Sequence, residues 1–373
     1  MNKLTSPRRV ALSLLTVVAF GAGLYPNRFL LTAAAGQLHR LSVLSILALA
    51  ATVVVHRLTQ SAMVAVITGR IRMGQALTAN EAHSGCSLAL VGGGAVGTGV
   101  KAAMLTGWGV EKTAIATSIT ATSIIPIITQ WAMTSAAAAY FLLRGDHSVA
   151  NQAAFAAGIT LSFGPAFFWV ALLGRPQLVR WFADRCQPLV RLVARIPFLP
   201  AKWRQTLGAA ELRSTAESLR CSALPLRGRR GLAAVALALA SNVVVGFILV
   251  LTLHGLDITG EHGLYPIEAM AALSLARTLG SFAPLPGGIG LLDAGLLAAL
   301  AGHGVDPSSA VAAVVLYRAA TFVVPILTGA VSIVWWRRSV RRAACSTVTS
   351  ADLLVTTLVP HDGTNVTVRL LPV

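Results

Sequence analysis

Leu285–Ser309 reads LPGGIGLLDAGLLAALAGHGVDPSS, and Leu90–Ala114 reads LVGGGAVGTGVKAAMLTGWGVEKTA. At an offset of 195 positions the two stretches lie over each other without a gap. Leu90, Gly92, Gly93, Ala103, Leu105, Gly107, Gly109 and Val110 then meet identical residues, and Glu111 meets Asp306. Eight identities in 25 positions owe something to a shared richness in Gly, Ala and Leu. The four coincident glycines and the matching Gly-Val-acid exit favour a duplicated unit.

The surroundings of both copies are apolar. Of 373 residues, 55% are hydrophobic and 12% are charged, about half the charged fraction of a soluble domain. The apolar residues fall in blocks long enough for helices that cross a bilayer, which takes roughly 20 residues each. The formal net charge is +17, and its placement follows membrane topology. The stretch Arg175–Arg230 holds twelve Lys/Arg against three Asp/Glu and lies between apolar blocks, as a cytoplasmic loop does under the positive-inside rule. Nucleic acid is excluded as a partner, because no interleaved aromatic platform or binding module accompanies the charge. Cys86, Cys186, Cys221 and Cys345 stand far apart, and the eight histidines show no metal-ligand spacing, so neither a metal nor another cofactor is expected.

The expected spans are Val10–Leu24, taken as an uncleaved first span, then Leu41–Val55, Thr113–Leu143 interrupted by Pro126, one ending near Leu173, Leu232–Leu253, and Ala310–Trp336. Basic residues at the chain start, at His56, Arg57, Arg70 and Arg72 after the second span, in 175–230 and at Arg337–Arg342 assign these ends, with both termini, to the cytoplasm of a multi-pass plasma-membrane protein. On that assignment the first glycine unit, 75–114, enters and leaves on the cytoplasmic face, and the second, 267–309, on the outer face. The fold class is therefore an all-α polytopic helix bundle with two inverted, Gly/Pro-broken units. Sequence leaves open whether each unit is re-entrant or spanning. The transmembrane domain covers 1–342, and a polar, poorly ordered tail covers 343–373.

Inverted broken segments point to a substrate site in transporter-like folds. Within them, charge in hydrocarbon is costly and usually functional. The candidate substrate-binding residues are Gly92, Gly93, Gly97, Thr98 and Lys101 in the first unit. In and beside the second they are Arg277, Pro286, Gly287, Gly288, Gly290, Asp293 and Arg318. Broken backbone and helix starts favour an anionic group such as a phosphate, for which Lys101 could supply the charge. Asp293 could pair with Lys101, Arg277 or Arg318, or bind a cationic head group or a proton. The bland readings stand beside these: glycines for close helix packing, a snorkelling lysine, and Asp293 with Arg318 as a structural pair. Gly92, Gly94 and Gly97 satisfy GxGxxG, but no acid follows at the right distance and the second copy breaks the pattern, which excludes a dinucleotide site.

Ala283–Leu300, APLPGGIGLLDAGLLAAL, resembles the P-x-P-G-G-x-G-x-x-E-A signature of the lysylphosphatidylglycerol synthase transmembrane region, or flippase-like domain, family. Val315–Thr321, VLYRAAT, carries Arg318 where that family has an arginine, and Gly97-Thr98-x-x-Lys101 is similar to its G-D-x-x-R element. Asp293 replaces the family's glutamate, and Thr98 and Lys101 replace its acid and arginine. The soluble aminoacyltransferase domain of full synthases has no counterpart in this sequence. The resemblance implies translocation of a phospholipid or lipid-linked glycan between leaflets, with anionic phospholipid or polyprenyl-linked lipid as partner and no enzymatic reaction. The competing expectation is a membrane scaffold or accessory subunit of a cell-envelope synthesis enzyme, such as a phosphatidylglycerol lysyltransferase, docking through Arg175–Arg230.

Overall fold

The computed structural model describes residues 41–90, 93–145, 152–163, 224–259, 264–283 and 286–357, with single positions 36, 177 and 221. The expected first span, most of the basic loop and Gly92 lie outside the described residues, as does the end of the span expected near Leu173.

The described residues are helical throughout, with no strand among them. In chain order the helices are α1 (Val43–Thr68), α2 (Met73–Ala89), α3 (Gly93–Gly107), α4 (Lys112–Leu143), α5 (Gln152–Phe163), α6 (Arg229–Gly255), α7 (Pro266–Gly280), α8 (Leu291–Gly302), α9 (Pro307–Arg318) and α10 (Val324–Thr357). A π-helical turn, Ala319–Val323, joins α9 to α10. Among the described residues four pieces are long and apolar enough to cross a bilayer: α1, α4, α6, and Pro307–Val340 across the π turn. Val43, Leu44, Leu47, Val54, Leu58, Phe247, Leu327 and Val331 are exposed on their outer faces, as lipid-facing side chains are.

Helix ends follow local chemistry. Ser42 Oγ accepts the Ser45 amide at the start of α1, and Gly69, at φ +70°, closes it with its N–H on Ala65 O. Pro266 and Pro307 occupy first-turn positions of α7 and α9, where a missing N–H costs nothing. Helix α4 runs through Pro126 without ending, as expected. The second span is longer than expected. Instead of ending at Val55, α1 continues through His56 and Arg57 to Thr68, because the apolar residues resume after Arg57 and both polar side chains find partners inside the bundle. Helix α10 runs past Ala343 to Thr357.

Each glycine unit is a helix, a break and a second helix. With 17, 15, 15 and 12 residues, α2, α3, α7 and α8 reach at most about 25 Å at 1.5 Å per residue. Each is shorter than a hydrocarbon core about 30 Å thick, and each unit is a hairpin of two short helices. Helix α3 ends at Gly107 and α8 at Gly302, while α4 starts at Lys112 and α9 at Pro307. Both pairs of boundaries stand 195 positions apart, as in the sequence comparison.

Helices α1 and α6 lie antiparallel: Arg230 packs over Gly69 at one end, and Gly255 packs on Leu41 and Ser45 at the other. The chain leaves α1 for the first hairpin at the Gly69 end, and leaves α6 for the second at the Gly255 end. The Gly69 end also carries Arg70 paired with Glu111 at 3.1 Å. Trp336 beside Gly107 brings the Arg337 end of α10 there too. The main apolar core joins α1 and α6 to the second hairpin and α9 through Val53, Ile248, Leu249, Leu253, Leu273, Leu296 and Tyr317.

Candidate functional site

The second break needs its glycines. Gly287, Gly288 and Gly290 have φ of +69°, +68° and +91°, a region that L side chains enter only at a cost. Space is short as well. A Cβ on Gly288 would stand 2.9 Å from the Gly280 carbonyl oxygen, and one on Gly287 would stand 2.8 Å from the Phe322 ring and 3.1 Å from Leu88. Leu88 belongs to the last turn of α2, just before the first break. The C-terminal end of α2 therefore lies against the second break, beside the π turn that carries Phe322.

Arg318 holds the second break in place. Its Nε donates to Asp293 Oδ1 at 2.5 Å and its Nη2 to Oδ2 at 3.0 Å, a bidentate fork. The same guanidinium donates to the carbonyls of Gly287 (2.8 Å) and Gly288 (3.2 Å). Asp293, in the first turn of α8, also accepts the Gly290 amide at 2.9 Å, where a helix start favours negative charge. Of the three partners that sequence left open for Asp293, the geometry selects Arg318. Both side chains keep some access, at 16% and 19%.

The first hairpin closes on glycine contacts. A Cβ on Gly93 would lie 2.1 Å from Cys86 O, and one on Gly97 would lie 2.4 Å from His83 O and 2.7 Å from Ser87 Oγ. Gly85 and Gly329 make a similar approach between α2 and α10. One turn beyond Gly97, Lys101 is 3% exposed and donates to Thr122 Oγ1 at 2.9 Å. Thr98 donates to the Gly94 carbonyl of its own helix.

Arg277, on α7, anchors a polar layer that crosses both halves. Its Nη1 donates to Asn242 Oδ1 at 3.0 Å, and Asn242 Nδ2 donates to Thr129 Oγ1 at 3.1 Å. Gln130 Nε2 donates to Ser274 O, and the Thr134 and Thr278 hydroxyls share a bond at 2.5 Å. His56 Nδ1 lies 3.2 Å from both the carbonyl and the hydroxyl of Ser241. Ion pairs among the described residues are Arg57–Glu81, Arg70–Glu111, Arg318–Asp293 and, at 4.0 Å, His303–Glu268. Lys101 and Arg277 are in none of them. Each is a cation inside the bundle with a neutral oxygen for its partner.

Sequence reasoning missed the Arg57–Glu81 pair, 2.7 Å long and nearly buried, with Thr328 Oγ1 donating to the second Glu81 oxygen. The signal was present: an acid in the weakly apolar stretch Gln75–Leu88, and an arginine followed by eleven residues that suit a span. Of the expected residues, Gly287, Gly288, Gly290, Asp293 and Arg318 come together at one place. Gly93, Gly97 and Lys101 line the first hairpin, and Arg277 lies in the polar layer. The side chain of Pro286 is not among those described. No group of three or more His, Cys, Asp or Glu side chains among the described residues is placed to hold a metal.

One family, described as the lysylphosphatidylglycerol synthase TM region, matches residues 9–329. No curated protein matches the chain. The family points to a membrane protein of lipid metabolism.

Proposed function

Because the chain belongs to the lysylphosphatidylglycerol synthase transmembrane-region family, we propose that it moves a lipid with an anionic head group between the leaflets of the membrane. The two hairpins act as an inverted pair derived from one duplicated unit, with the head group meeting the cation that each one carries. One observation carries this reading: each hairpin bears a cation inside the bundle, Lys101 or Arg277, that no carboxylate among the described residues neutralises. An unpaired cation in hydrocarbon is costly and is retained where an anion or a water-filled path meets it. The phosphate of a phospholipid or of a lipid-linked glycan fits that requirement.

Other features agree. Broken helices at membrane depth are tolerated where they line a cavity or pack against protein, and paired breaks of this kind surround the substrate in transporter folds. The Arg318–Asp293 fork holds the second break as a rigid element, so Asp293 acts there as a structural acid. The basic residues gathered at the Gly69 end support a cytoplasmic position for that end. The test is reconstitution of the purified chain in vesicles carrying head-group-labelled lipids of several classes. Movement of an anionic phospholipid or polyprenyl phosphate faster than in empty vesicles is expected. Rates equal to empty vesicles for every class would remove the proposal.

A further inference from the structure

At the end of the bundle where α1 finishes and α4 and α6 begin, a half-open cavity of about 340 Å³ lies among Thr68, Arg70, Glu111, Thr117 and Arg230. Arg70 and Glu111 pair at its mouth, both well exposed. Arg230 has no carboxylate partner among the described residues, so the lining keeps one uncompensated positive charge. Its guanidinium lies over Gly69, with Nη1 2.9 Å from the place a Cβ would take, so a larger residue at 69 would displace it.

A second, independent observation points to a missing acceptor. Thr117 is 4% exposed and lines the cavity, yet its Oγ1 has no hydrogen-bond partner. A buried hydroxyl left unpaired costs roughly 1–3 kcal/mol. Beside it the first turn of α4 contributes Thr113 and Ala114 to the lining, and Glu111, the residue before that turn, makes no side-chain cap. Gly228, before α6, offers no cap either. Uncapped amides at helix starts, a free guanidinium and an orphaned hydroxyl are all donors that suit a tetrahedral anion.

We infer that this cavity binds a phosphodiester of single negative charge, the phosphate of a glycerophospholipid head group at the membrane surface. Ile67 and Leu226 give it apolar walls, which the glycerol and upper chains of a lipid would meet. A hydrogen-bonded path leads inward from it. Thr68 Oγ1 and Ser118 Oγ share a bond at 2.7 Å, Thr122 Oγ1 donates to Ser118 O at 2.7 Å, and Lys101 donates to Thr122. The cavity is thus the place where a head group is captured before it reaches Lys101. That loading role rests on the proposed function, whereas phosphate binding does not.

The test measures binding alone, on the full chain purified in detergent, by native mass spectrometry and lipid-dependent melting. The probes are phosphatidylglycerol, diacylglycerol with the same chains, and inorganic phosphate. Phosphatidylglycerol should bind and diacylglycerol should not. Arg230→Gln and Thr117→Val should each weaken binding about tenfold or more, while Arg338→Gln, an exposed arginine at the same end, should change it less than about twofold. Thr117→Val keeps the side-chain shape, and its melting without lipid checks that the fold survives. Competition by inorganic phosphate shows that the phosphate alone is recognised. Binding of inorganic phosphate without lipid assigns the same site to the free anion. Unchanged affinity in Thr117→Val, equal losses in Arg338→Gln and Arg230→Gln, or binding of neither phosphate probe would overturn the inference.

Discussion

Replacing Arg318 by lysine keeps the charge and removes the fork. Four hydrogen bonds leave the Arg318 guanidinium: two to Asp293 and one each to the carbonyls of Gly287 and Gly288. A lysine ammonium is a point donor on a flexible stem and reproduces at best one arm of the carboxylate pair. The two glycine carbonyls and one carboxylate oxygen then lose their donor. A bond to a charged group contributes about 1.5–3 kcal/mol. The 3.2 Å contact is long and the pair keeps some access, so the three losses together come to about 2–4 kcal/mol. Arg318→Lys should destabilise the fold by that amount in reversible unfolding of the protein in mixed micelles. A single cysteine placed at Ile289 should also become several-fold more reactive to a water-soluble thiol reagent. Arg318→Lys within about 0.5 kcal/mol of the parent, with unchanged reactivity at 289, would refute the idea that the fork holds the break.

Three further outcomes are expected. Gly93→Ala and Gly97→Ala should each destabilise the first hairpin by about 1–3 kcal/mol, as overpacking does, because their new Cβ atoms meet backbone of α2. Gly94→Ala, with open space around its Cβ, should be neutral or stabilising in the same melting assay. Glu81→Gln should cost about 3–5 kcal/mol by leaving Arg57 unpaired, and the double exchange of Glu81→Leu with Arg57→Met should recover most of the loss in chemical unfolding. Asp306, exposed at the start of α9, has its carboxyl held below the usual carboxylate range by hydrogen bonds from the Ser308 hydroxyl and the Ser309 amide. Its stabilising effect is therefore present above the unfolded value near 4 and fades as pH falls through the lower folded value. The difference in melting temperature between parent and Asp306→Ala should hold from neutral pH down to about 5 and shrink below about 4.

The two glycine segments were legible because glycine positions that need a positive φ or a close approach leave few alternatives. The 195-residue offset recovers helix boundaries at Gly107 and Gly302 and at Lys112 and Pro307. Asp293 with Arg318 was readable as a pair, since two opposite charges in apolar runs seek each other, although three partners fitted equally well on paper. What sequence hid was interior polarity supplied by ordinary residues. His56 and Arg57 read as an anchor after a span because basic residues follow at Arg70 and Arg72. In fact Arg57 reaches Glu81, 24 positions on, a pairing set by how α1 packs on α2. The layer of Asn242, Thr129, Gln130 and Thr134 was equally hidden, because hydroxyl and amide side chains occur in any membrane helix and gain meaning only when they face Arg277 and Ser274 across the bundle.

On the proposed function, Lys101 and Arg277 meet an anionic lipid head group on its way across the membrane. The most direct test is the leaflet exchange rate of a head-group-labelled anionic phospholipid in vesicles holding equal amounts of parent protein or the double variant Lys101→Gln with Arg277→Gln. Fast exchange with the parent, loss to the level of empty vesicles in the double variant, and little change in its melting temperature are expected. Exchange at the parent rate in a folded double variant would contradict that function.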